Sequence, residues 1–113
     1  MRVDALRRFA LSLPQAEERE TWGTATFRVD SRIFAMFSEQ ERHVWAKSTF
    51  DEQRALVAMY PEVFFVPPYV GPSGWVGAVI SKVDGGEMRE LVTEAWRMTA
   101  PRELVDAFDQ GVA

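Results

Sequence analysis

Hydrophobic and polar positions change their period several times along the chain, and each change marks an element. Between Val3 and Leu13 the residues Val3, Leu6, Phe9, Ala10 and Leu13 recur at steps of three and four, while Asp4, Arg7, Arg8 and Ser12 occupy the other side. That spacing predicts an amphipathic helix, stopped by Pro14. Gln15 to Glu20 is polar and acidic and reads as a loop leading to a short extended segment at Thr21-Trp22. From Thr24 the period falls to two, with Ala25, Phe27 and Val29 on one side and Thr24, Thr26 and Arg28 on the other, the alternation of a strand. Asp30-Ser31 supplies turn chemistry, and Ile33 to Phe37 returns as a nearly continuous apolar strand expected to be covered on both faces. Glu39 to Arg42 is a solvated turn, and His43 to Lys47 predicts a third strand with Val44 and Ala46 alternating against Trp45.

Thr49 followed by Glu52 has the spacing of a capping box and starts a helix from about Phe50 to Tyr60, ended by Pro61. Val63 to Val66 is a short strand that Pro67-Pro68 terminates, because proline cannot donate to a ladder. Tyr69 to Gly74 reads as a loop, Trp75 to Ser81 as a further β-rich run, and Asp84-Gly85-Gly86 as its break. Met88, Leu91, Val92, Ala95 and Met98 mark a long amphipathic helix with Asp84 or a neighbour as its cap, and Pro101 opens a last short helix through about Phe108. Consecutive strands with segregated helices predict a single α+β domain over residues 1–113, a mainly antiparallel twisted sheet packed against helices.

Composition narrows the function classes. With 47% hydrophobic residues, eight Phe and four Trp, the chain can build a core without staples. It has no Cys, which excludes disulfides, thiolate metal sites and cysteine nucleophiles. Charge interrupts every short apolar run of the first eight residues, so neither a signal peptide nor a membrane span is read there, and a cytoplasmic protein is expected. Residues 1–60 balance nine basic against nine acidic side chains, whereas residues 61–113 carry four against eight. Nucleic-acid binding draws on Lys and Arg neutralising phosphates, so a net charge of -4 demands that the positive charge be gathered on one face.

Leu13-Pro14 with Glu17-Glu18, the Trp22-Gly23 pair, Phe27-Arg28-Val29, Arg32 before Ile33-Phe34-Ala35, Ala46-Lys47, Tyr60-Pro61, Pro68-Tyr69 and Gly74-Trp75-Val76 together resemble the MmcQ/YjbR family over essentially the whole chain. Ser31 stands where that pattern usually has a turn Gly, and Ala95-Trp96 where a Ser-Tyr pair is common. The resemblance implies a CyaY-like fold, that of bacterial frataxin, and a DNA-binding role through two β-hairpin wings. Carried onto this sequence, the wings are the hairpin at Asp30-Ser31-Arg32 and either the turn at Glu39 to Arg42 or the loop Pro68 to Gly74.

The residues themselves leave two readings open. Arg28, Arg32, Arg42 and Lys47 are the candidate phosphate contacts of a weak DNA-binding wing. Trp22, Tyr69 and Trp75 are the candidate contacts of a protein- or small-molecule-binding surface, Trp75 because Gly74 and Gly77 flank it and Tyr69 because it lies in a Pro-Gly loop. Trp45 offers a further ring, and strand aromatics more often pack than bind. His43, the only histidine, has no nominated nucleophile or orienting partner. The frataxin likeness raises iron, but Arg7 and Arg8 dilute the first helix and leave Glu17, Glu18 and Glu20 outside it. No phosphate loop, nucleophile elbow or metalloprotease motif is present. The expectation is a monomeric binding domain with no catalytic residues and no cofactor.

Overall fold

A computed structural model of the chain describes all residues except Trp22, Glu39, Val112 and Ala113. Helix α1 (Val3–Ser12) leads into strands β1 (Glu17–Thr21), β2 (Thr24–Val29), β3 (Arg32–Ser38) and β4 (His43–Ala46). Helix α2 (Phe50–Met59), strand β5 (Phe64–Phe65), a 3₁₀ turn at Gly71–Ser73 and strand β6 (Val76–Val79) follow, then α3 (Gly85–Arg97) and α4 (Arg102–Asp109). All six strands form one antiparallel sheet in the order β1-β2-β3-β4-β6-β5, the α+β architecture that the periodicity predicts.

The loop expected at Gln15 to Glu20 holds for its first two residues, but from Glu17 the chain is an edge strand. Its sequence, EERET, has no apolar alternation because most of it is exposed, and the charges that hide it from pattern reading also keep a foreign strand from adding to the edge. Cross-strand rows then assign the two faces. Phe27, Ala35, Ala46 and Val76 form one row, and Phe37, Val44, Ala78 and Phe64 the next; all are buried under the helices. Leu6 and Ala10 of α1 and Met88, Val92, Ala95 and Trp96 of α3 complete that core. Trp96 anchors three elements at once: its indole N–H donates to the Pro14 carbonyl at 3.0 Å, and its ring meets Phe108 of α4 at 4.9 Å.

The opposite face carries no helix among the described residues. It displays the row Arg19, Thr26, Met36, Trp45, Gly77 and Phe65. A bulge explains why β3 reads as a continuous apolar run. Phe27 pairs with Ala35 but Arg28 pairs with Ile33, so Phe34 is the extra residue, and the face assignment flips there. Phe34, Ala35 and Phe37 enter the core, whereas Ile33 and Met36 reach the open face half-buried. The run is therefore covered on one side only, in contrast to the two-sided cover expected of it.

Caps fall where the sequence puts them. Thr49 Oγ1 accepts from Glu52 N at 3.1 Å, and the Asp84 carboxylate accepts from the backbone N–H groups of Gly86 and Glu87. Asp30 (φ +53) and Ser31 (φ +64) both take the left-handed conformation that a two-residue hairpin turn requires, which accounts for the turn glycine at the second position in the pattern the sequence resembles.

Candidate ligand groove on the open sheet face

The open face is not flat. A groove of about 720 Å³ runs over it, walled by Ile33, Met36, Trp45, Tyr69 and Val70 and edged by Thr21, Thr24, Thr26, Ser38 and Glu41. Its floor follows from the register, since Thr26, Met36 and Trp45 lie directly opposite one another on β2, β3 and β4. The Trp45 indole N–H is shielded from solvent and has no hydrogen-bond acceptor among the described residues. Such an orphaned donor costs about 1–3 kcal/mol of stability.

The overhanging wall comes from the loop between β5 and β6. Tyr69 is 91% exposed and holds φ +66, a strained conformation for a bulky non-glycine residue. Short bonds force it: Val70 N donates to Pro68 O at 2.7 Å and Gly71 N to Pro67 O at 3.0 Å. Gln53, buried on α2, then clamps the loop from beneath by donating from Nε2 to the carbonyls of Gly71 (3.0 Å) and Trp75 (2.5 Å). A rigid, cross-braced loop thus presents one aromatic ring at the rim of an apolar trough.

The candidate residues separate into different places. Of the aromatic set, Tyr69 lines the groove, Trp75 is 8% exposed and is not among the lining residues, and Trp22 lies outside the described residues. The glycines beside Trp75 are buried rather than open: a side chain at Gly74 would press on the backbone of Ser48 to Phe50, and the Phe65 ring covers Gly77. Trp45, passed over as a packing residue, is the ring on the groove floor. The signal for it was its place opposite Met36, legible only once the register is known.

The basic set is scattered. Arg28 stands on the open face opposite Ile33, and Arg32 begins β3 at the adjoining hairpin tip. Arg42 lies in the β3–β4 turn at the other end of the strands, lining a separate cleft with Arg2, Asp4 and Arg7 at the start of α1. Lys47 sits in a third groove, between α2 and α3, among Glu52, Glu87, Glu90 and Glu94. Two of the three acidic residues of β1 are engaged locally, Glu17 with Arg19 and Glu18 with Arg7, each at 3.2 Å. His43 packs its ring on Phe65 at 4.7 Å and approaches Glu41 at 3.6 Å. Among the described residues no group of three or more His, Asp or Glu side chains could hold a metal ion, and no helix is long and apolar enough to cross a membrane.

Fold and face together define a small antiparallel sheet domain, sheathed by helices on one side and presenting an apolar trough on the other. The chain belongs to the YjbR family, whose model matches residues 11–98. Its fold is that of the Deinococcus radiodurans protein DR2400, of domain family DUF419, with a TM-score of 0.80 at 18% identity over 97% of this chain and 86% of that one. In sequence it is 39% identical over 48 residues to the uncharacterized proteins Rv2570 of Mycobacterium tuberculosis and Mb2600 of Mycobacterium bovis. That match covers 42% of this chain and 37% of the length of either relative.

Proposed function

We propose that this chain is a non-catalytic binding domain that takes a small, ring-bearing molecule in the groove over Met36 and Trp45. The groove itself carries the reading. Its volume falls within the range usual for small-molecule sites, its walls are largely apolar, and a strained, braced tyrosine stands at its rim. DNA binding through hairpin wings has less support. Two of the four candidate cations lie on or beside the open face, one at the far end of the strands and one among four glutamates, which does not make the single positive surface that phosphate binding needs.

The test is a two-dimensional NMR titration with an uncharged bicyclic probe, 2-naphthamide. Shifts confined to Ile33, Met36, the Trp45 indole N–H, Tyr69 and Val70, and lost in Met36→Glu, are the expected result. No shift there, or shifts elsewhere, overturns the reading. A short DNA duplex run beside it serves as the rival: a salt-sensitive complex abolished by Arg28→Ala and Arg32→Ala favours the wings instead.

A further inference from the structure

We infer that the ligand of this groove is an anion, an aromatic or otherwise planar carboxylate whose charged end is received by Arg28; the inference rests on the binding reading above and specifies its chemistry. Arg28 is half-buried and stands beside the groove rather than among its lining residues, opposite groove-lining Ile33. Its guanidinium is held at three points, Nε to Thr26 Oγ1 (3.3 Å), Nη2 to Thr21 Oγ1 (3.1 Å) and Nη1 to the Ser31 carbonyl (3.3 Å). All three acceptors are neutral, and both threonines edge the groove.

A carboxylate is available and is not used. Glu17 lies directly across from Arg28 in the β1–β2 register, where opposite charges on one sheet face ordinarily pair. Instead the Glu17 carboxylate bonds Arg19 at 3.2 Å, and among the described residues no acid lies within ion-pair distance of Arg28. A partly desolvated guanidinium with only neutral partners is an incomplete electrostatic arrangement. Three of its five N–H groups are committed, which leaves one on each Nη, the pair of donors that a bidentate carboxylate takes.

Thr26 is 1% exposed and its hydroxyl donates to the Arg19 carbonyl at 2.7 Å, so the oxygen that receives Arg28 Nε is itself fixed. The guanidinium is preorganised rather than free to collapse onto a passing acid. Glu41 edges the groove as well and leans toward His43, giving the trough a carboxylate of its own that opposes anion binding beside it. The ligand's charged end therefore goes to Arg28 and its ring to Met36 and Trp45.

The experiment compares 2-naphthoate with 2-naphthamide, equal in shape and different in charge, by NMR titration of the full chain. On the wild-type chain the carboxylate binds about tenfold tighter, as a charge-assisted bidentate contact implies. Arg28→Met brings the two within about twofold by weakening the carboxylate far more than the amide. Equal binding of the two probes to the wild-type chain, or a preference that survives Arg28→Met, overturns the anion and leaves the groove standing. Failure of both probes to bind overturns the groove and the anion with it. Should Arg28→Met unfold the chain, Arg28→Lys decides: it keeps the charge, loses the fork and must lower the preference for the carboxylate.

Discussion

Gly77 lies at the centre of β6, opposite Trp45 on one side and Phe65 on the other, and a methyl group there would fall inside the Phe65 ring. Its backbone is ordinary extended strand without a positive φ, so space rather than conformation requires it. Gly77→Ala must push Phe65 off the sheet, along with the ring's 4.7 Å packing on His43. Overpacking of this kind costs about 1–3 kcal/mol. Against it stands a gain of roughly 0.5–1 kcal/mol, because glycine loses more chain entropy than alanine on entering a strand. The net expectation is destabilisation by about 1–2 kcal/mol. In a Phe65→Ala background the obstruction is gone and only the entropic gain remains, so the same substitution should stabilise by roughly 0.5–1 kcal/mol. Urea unfolding followed by tryptophan fluorescence on the four proteins of this cycle gives the answer, with unchanged m-values confirming that the unfolded states compare. A Gly77→Ala effect of the same sign and size in both backgrounds would refute the ring-over-glycine account of this edge.

Two further substitutions probe the loop that walls the groove. Gln53→Leu removes the donor that Gly71 and Trp75 share and leaves both carbonyls facing an apolar side chain; it should cost about 2–3 kcal/mol in urea unfolding and speed amide exchange at Gly71 and Gly74, whereas unchanged exchange there would show that the clamp does not hold the loop. Tyr69→Gly relieves a left-handed bulky residue and should raise stability by up to about 1 kcal/mol, after the greater entropy of unfolded glycine is allowed for, while weakening 2-naphthamide binding; a loss of stability would refute the strain.

Sequence periodicity carried α1, α3 and the central strands, because those elements bury one face and the burial imprints a period, while capping and proline signals marked α2 and α4. It failed where burial leaves no period. Strand β1 has every charged position in solvent and looks like a loop, and β3 contains a bulge that turns two faces into one apolar run. The candidate site was less legible for the same reason. Tyr69 could be singled out from its Pro-Gly surroundings, but Trp45 and Met36 become neighbours only through a register set across two hairpins. The partnering of Arg28 was further out of reach, since the sequence places an acid where the register would pair it and cannot say that the acid turns to Arg19.

An apolar sheet face without a covering helix is ordinarily a hazard, because both the face and the sheet edges invite another chain. Here the edges are closed. Strand β1 displays Glu17, Glu18, Arg19 and Glu20, and β5 is two residues long and runs toward Pro67-Pro68, which stops a ladder from extending it. A strand-shaped partner therefore has nowhere to add, while the trough over Met36 and Trp45 stays accessible from above. That division selects the occupant by shape: a compact molecule that lies across the strands is admitted, and one that must extend the sheet is not. On the proposed reading Arg28, beside the trough, adds a filter of charge, and the two together argue for a small carboxylate over a peptide.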